Sequence, residues 1–236
     1  MALTFERRKT SKDRLQIRWD YPASMEVEQD AGTGRTRSVA RMYALERDAA
    51  LAKLRGDDPR PLLVVRECGR CKGTNDALLS RTLDNERTLL LSRWFHCVKL
   101  KHHVVKDDHT FSALFAGQQP PHLFLASADG EAIVPLPGDQ SQSDLWAAMH
   151  DMLDAAYERD ARQALKELNK LLARFDDLDS QEDQLLEQID REVERRGPKS
   201  AKMRRLQAKL RAVQDKKAKA REREDEVVDL GLKPAE

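Results

Sequence analysis

Pro61-Leu62-Leu63-Val64-Val65-Arg66-Glu67-Cys68-Gly69-Arg70-Cys71-Lys72 is the stretch that decides the fold class. Its first five residues form a short continuous apolar run, the pattern of a strand covered on both faces. The run stops at a charged pair followed at once by Cys-x-x-Cys. Upstream, Val39, Met42, Leu45, Ala49, Leu51 and Leu54 follow helical spacing, and Gly56 with Pro59 stops them, so a helix over 39–54 is predicted before the strand. Downstream come a helical stretch carrying Leu78 and Leu79, a helix over 85–94 and a strand over 95–100 (FHCVKL). This alternation of strand and helix implies parallel pairing.

A short helix capped by Asp108 is predicted to run to Phe115 and break at Gly117. A strand over 122–127, a turn at Ala128-Asp129-Gly130 and a returning strand over 131–136 then read as a hairpin. Ser143 or Asp144 caps an amphipathic helix with Leu145, Trp146, Met149, Met152, Leu153 and Tyr157 on its apolar face. The fold class is α/β.

With 236 residues and 40% hydrophobic content, the chain can fill one well-packed core and an appendage, but hardly two full cores. Charged residues reach 35% against roughly 25% in an average globular protein, so long exposed helices are expected. The net charge of +1 argues neither for nucleic acid nor for an acidic partner. The N-terminal MALTFERRKTSKDR has no apolar run, and no stretch approaches the ~20 apolar residues of a membrane helix, so a cytoplasmic protein with no membrane span is expected. Three cysteines do not make a disulfide framework, and a close pair in a reducing compartment is redox-active or metal-binding more often than structural.

Residues 1–37 read as a basic, partly ordered extension, in which Leu15, Ile17 and Trp19 alternate with polar residues as a short strand or extended segment would. Residues 38–157 form the domain, 158–228 a helical hairpin and 229–236 a flexible tail.

The order of these features over about 39–157 resembles the thioredoxin superfamily: Cys-x-x-Cys at the end of a buried strand, then Pro121-His122-Leu123-Phe124-Leu125-Ala126-Ser127-Ala128-Asp129-Gly130 as proline, apolar strand and Asp-Gly turn. More narrowly, the helix before RPLLVV, the CGRCK sequence and NERTLLLSRWFHCVKL together are similar to thioredoxin-like domains in which an Asn/Asp-Glu-Arg helix is followed by a strand ending in Lys. The resemblance implies a thioredoxin-like fold, a dithiol at Cys68 and Cys71, and a cis-proline at Pro121 that faces it and helps bind an extended substrate backbone. The sequence departs from thioredoxin at Glu67, where an aromatic residue is usual, and at Arg70, where a proline is. The loop to Cys68 is shorter, and strand 61–65 carries no aspartate.

Exchange chemistry needs a thiolate, and a helix N-terminus at Cys68 with Arg70 and Lys72 nearby would favour one, opposed by Glu67. Cys68 is then the nucleophile and Cys71 the resolving thiol. A basic Arg70 in place of the proline makes the pair more oxidising than thioredoxin. The metal alternative recruits His96 or Cys97 as further ligands, but alternation along FHCVKL puts those two on opposite faces, and Cys97 reads as a small buried hydrophobe. His102, His103 and His109 read as solvated loop histidines. No cofactor is implied.

Beyond Tyr157 the helix has no breaker, and Leu165, Leu168, Leu171, Leu172, Phe175, Leu178, Leu185, Ile189 and Val193 mark an apolar stripe interrupted by Glu182. Gly197-Pro198 turns the chain, Ser200 caps a second helix, and Met203, Leu206, Leu210 and Val213 are its seam. The first helix is acidic and the second basic, which selects an antiparallel coiled-coil hairpin. The absence of interleaved aromatics argues against nucleic acid. The thinning of the seam after Val213 leaves assembly with another chain, a homo-oligomer through 158–228, as a second role. Two functions follow: a thiol–disulfide oxidoreductase acting on a protein disulfide, or a noncatalytic thioredoxin-fold adaptor that assembles through its coiled-coil arm.

Overall fold

The computed structural model describes residues 6–23, 26–29, 38–41, 43–68, 77–80, 84–117 and 120–234, with 26–29 and 38–41 as backbone only. In chain order the elements are α1 (Lys9–Lys12), β1 (Trp19–Asp20), β2 (Glu26–Gln29), β3 (Ser38–Arg41), α2 (Arg47–Arg55), β4 (Leu62–Arg66) and α3 (Glu86–Leu91). They continue with β5 (His96–Leu100), β6 (Leu123–Ala126), β7 (Ile133–Leu136), α4 (Gln142–Ala156), α5 (Ala161–Arg196) and α6 (Ala201–Val228). The chain divides into two compact units, Ile17–Ala161 with the residues from Gly231, and the residues up to Gln16 with Arg162–Leu230.

The first unit is a mixed α/β structure on a five-stranded sheet of order β1-β5-β4-β6-β7. The apolar run predicted as a covered strand is β4, buried at all five positions. It pairs parallel with β5, Leu63 opposite Cys97, and antiparallel with β6, Leu63 opposite Leu125. Because side chains alternate, Leu62 and Val64 share one face with Val98, Leu100, Phe124 and Ala126, covered by Leu51, Leu54, Phe111 and Phe115. On α4, Leu145, Met149 and Leu153 are fully buried, and Trp146 Nε1 donates to Thr88 Oγ1 of α3 at 2.9 Å. Gly130 closes the β6–β7 turn at φ 82°, its amide donating to Ser127 O at 3.0 Å. A side chain there would be strained and would press on Leu51 Cδ1 at 3.2 Å.

Several local expectations are corrected. Val39 falls in β3, paired antiparallel with β2, and the helix starts only at Arg47, so residues 38–41 follow a cross-strand partner rather than their helical spacing. Met42 lies outside the described residues. Trp19 is extended as expected and pairs parallel with Cys97. Ala77–Leu79 are turn rather than helix, while 102–105 and 112–115 are 3₁₀ turns. The cap of α4 is Ser141, not Ser143 or Asp144: its Oγ accepts from Asp144 N at 3.1 Å and donates to Asp144 Oδ2 at 2.6 Å, so Asp144 partners the cap from the first turn.

The helix does not run through Tyr157. Tyr157 takes extended angles, its buried hydroxyl donates to Trp94 O at 2.7 Å, and its backbone bridges Leu232. Glu158 N donates to Gly231 O at 2.8 Å and Lys233 N to Ala156 O at 3.0 Å, so tertiary hydrogen bonds end the helix where no sequence breaker stands. The same bonds tie residues 231–233 of the predicted tail to the sheet unit.

The second unit is built on α5 and α6, two long helices packed antiparallel about Gly197, which takes φ 77°. Ser200 caps α6 as expected, accepting from Met203 N at 3.0 Å. Leu165, Leu168, Leu171, Leu172, Phe175 and Leu178 are buried, as are Met203, Leu206 and Val213. Toward the turn the stripe shifts: Val193 is exposed, and Glu192 is buried in its place because it accepts from Ser200 Oγ at 2.8 Å and pairs with Lys202 at 3.3 Å. After Val213 the apolar seam gives way to a mixed one, but burial continues at Ala220, Glu224 and Val227, so the stretch expected to fray or pack on another chain is buried within the unit.

The N-terminal segment partners the buried Asp179 and Glu224. Thr10 donates from its amide and hydroxyl to Asp179 at 2.8 and 2.7 Å, and Ser11 Oγ donates to Leu172 O at 2.9 Å. Arg14 pairs with Glu224 at 2.6 Å while its guanidinium lies 4.2 Å over the Phe175 ring. Arg7 and Arg8 pair with Asp176 and Asp183. The acidic side of α5 is therefore shared between α6 and the basic N-terminal stretch.

Candidate functional site

Cys68 follows the C-terminal end of β4 and is half-buried. It is disulfide-bonded, whereas Cys97 is a free thiol. The adjoining residues of the predicted site, Arg70 and Cys71, lie outside the described residues, as does the helix N-terminus expected at the dithiol.

Pro121 is at the same end of the sheet. Arg66 N donates to His122 O at 2.8 Å, extending the β4–β6 ladder past Val65 opposite Leu123. Continuing that register puts Glu67 across from Pro121 and Cys68 across from Pro120. Glu67 N in turn donates to Leu100 O at 2.8 Å, so the residue before Cys68 is held to β5. The Pro120–Pro121 bond is trans, since no peptide bond among the described residues is cis, and this corrects the expected cis-proline. In that form the Pro120 and Pro121 carbonyls both accept from Arg66, Nη2 at 3.1 Å and Nε at 3.2 Å.

Arg66 is the residue that sequence reasoning missed. It is only 8% exposed, its guanidinium lies 5.9 Å from the Phe115 ring centroid, and burial lowers its pKa from the ordinary range. The available signal was a charged residue closing an otherwise apolar strand. Glu67, the nearest carboxylate in sequence, is 3.7 Å from Lys101. On the opposing strand, the His122 pKa is lowered by burial and by Arg66, with Asp139 acting in the other direction.

Among the described residues no group of three or more His, Cys, Asp or Glu could hold an ion, and Cys71 of the metal alternative lies outside them. His96 Nε2 lies 3.2 Å from Asp20. Cys97 is 2% exposed, and burial pushes its thiol up to about 12, so it is a packing residue. His109 is buried rather than solvated, its Nδ1 accepting from Phe111 N at 3.2 Å and its ring 5.1 Å from that of His103. Burial, then the charge of His103, lower its pKa.

Among the described residues no helix is long and apolar enough to cross a membrane. The site and sheet together define an α/β domain with a disulfide-bonded cysteine at the end of a buried strand. Compared with known proteins, the chain matches no family model, no curated protein and no solved structure.

Proposed function

We propose that the chain is a thioredoxin-like thiol–disulfide oxidoreductase acting on a protein disulfide through Cys68 and Cys71. The observation that carries this reading is a disulfide-bonded Cys68 just beyond β4, at the end of the sheet where the Pro120–Pro121 segment opens β6. A parallel strand on one side and an antiparallel hairpin on the other also fit the thioredoxin resemblance. In the reducing direction the Cys68 thiolate attacks one sulfur of the substrate disulfide, forming a mixed disulfide and expelling the other sulfur as a thiolate that takes up a proton. The Cys71 thiolate then attacks Cys68, closing the protein disulfide and releasing the second substrate thiol. Two electrons pass from dithiol to substrate. Pro121 and Arg70 are proposed to position the substrate backbone.

Insulin-disulfide reduction with dithiothreitol as the electron source tests this. Wild type is expected to accelerate precipitation of the insulin B chain, with Cys68→Ser reduced to the rate of dithiothreitol alone. A wild-type rate equal to that background rejects the reading. The adaptor function would then stand as the alternative, favoured by the exposed Leu186 and Val193 on the half of α5 nearest the turn, and sizing of the full chain would test the assembly it requires.

A further inference from the structure

We propose that Arg66 is the positioning residue of the dithiol, holding the Pro120–Pro121 backbone beside the end of β4 and supplying the positive charge that the reduced Cys68 thiolate faces. The inference rests on the oxidoreductase reading and adds to it a residue on β4 itself. Leu62, Val64 and Arg66 alternate onto one face, where the first two join the cluster of Phe111, Phe115 and Phe124. Arg66 thus carries a guanidinium into an apolar layer, where charged groups are ordinarily paired with an opposite charge. Its hydrogen bonds from Nε and Nη2 go to two backbone carbonyls, which engage two of its five donors without neutralising it. Among the described residues no carboxylate pairs with it.

Cys68 is two residues further on, about 7 Å of extended chain. In the disulfide it is neutral. Once reduced and deprotonated, it becomes an anion beside a cation that has no carboxylate partner among the described residues. Among the described residues, the charged or titratable groups at this end include Glu67 with Lys101, which largely offset each other at 3.7 Å, His122 with Asp139, and His102 and His103 beyond β5. Arg70 and Lys72 follow in sequence. His122 lies directly across from Arg66 in the β4–β6 register, its carbonyl accepting from Arg66 N at 2.8 Å.

Two roles can be separated. A structural clamp needs only donors, so Arg66→Gln would keep part of it, whereas a charge role is lost in Arg66→Gln and kept in Arg66→Lys. The full chain is reduced with a phosphine, and iodoacetamide labelling of Cys68 is followed by peptide mass spectrometry across about pH 5 to 10. In wild type the labelling midpoint is expected below the ~8.5 of an ordinary cysteine. Arg66→Gln is expected to raise it by about one unit or more, and Arg66→Lys to leave it within about half a unit of wild type. Cys97 must stay unlabelled in each variant, which certifies the fold.

A wild-type midpoint at or above ~8.5 overturns the proposal without recourse to any variant, as does an Arg66→Gln midpoint equal to wild type. Labelling needs no turnover, so the two readings fail separately. An absent shift with insulin reduction intact removes the role of Arg66 alone. A clear shift with no insulin reduction upholds Arg66 and removes the oxidoreductase.

Discussion

Phe175→Ala is expected to lower the free energy of unfolding by about 4 kcal/mol, read as an earlier denaturant midpoint in the helical circular-dichroism signal. Phe175 is fully buried on α5, and truncating such a ring costs roughly 3–5 kcal/mol through lost burial and the cavity left behind. The Arg14 guanidinium over its face adds a cation–π contact of about 0.5–1 kcal/mol that alanine cannot make. Since Arg14 also pairs with Glu224, the variant weakens the seat of the N-terminal segment as well as the helix pair. Against a typical total stability of about 5–15 kcal/mol this is a large fraction. A loss under ~1 kcal/mol would mean that α5 does not bury this residue.

Lys217→Met is expected to destabilise the protein by about 3 kcal/mol near neutral pH, with the loss shrinking in acid. Lys217 Nζ lies 2.7 Å from Asp179 and 2.5 Å from Glu182, and the Lys217 and Asp179 side chains are 13% and 9% exposed. Removing the cation strands two carboxylates. The figure sits at the lower end for a buried pair because all three groups keep some solvent contact. Burial pushes the Asp179 pKa up, but hydrogen bonds from Lys217 and Thr10 outweigh it and hold the carboxyl below its ordinary range. Glu182 is lowered first by its hydrogen bond from Lys217. For Lys217, burial opposes the charge, and the bonds to both carboxylates raise its pKa nonetheless.

The signs fix the pH window. A carboxylate whose folded pKa is depressed contributes stability that is present above its unfolded value, ~3.9 for Asp and ~4.3 for Glu, and lost as pH falls through the folded value. A lysine whose folded pKa is raised contributes below ~10.4 and loses that contribution only as pH rises through the folded value. Wild type should therefore exceed Lys217→Met across the neutral range and approach it below about pH 4. Urea midpoints at neutral and acid pH measure this, and a pH-independent difference would assign the effect to packing by the lysine stem.

How much of this was legible in sequence depended on how local the cause was. β4, β5 and the β6–β7 hairpin could be read because apolar runs and Ala128-Asp129-Gly130 carry their own reasons. The antiparallel hairpin of α5 and α6 followed from opposite charge and Gly197-Pro198. Features set by a distant partner could not be read. Ser38–Arg41 carries a helical spacing that pairing with Glu26–Gln29 overrides. No breaker stands at Tyr157, where Trp94 and Leu232 end the helix. Thr10 and Ser11 look like solvated polar residues until Asp179 and the Leu172 carbonyl receive them. At the candidate site the cysteine motif was visible at once. Arg66 was hidden because its partners are main-chain carbonyls more than 50 residues away, which no side-chain pattern encodes.

The most direct measurement is covalent trapping with Cys71→Ser. If Cys68 is the nucleophile and Cys71 resolves the mixed disulfide, this variant should accumulate a dithiothreitol-releasable adduct joining Cys68 to a disulfide-bearing substrate protein, while wild type and Cys68→Ser do not. No adduct on Cys71→Ser, or one carried by Cys97, would contradict the assignment of the dithiol as the working centre.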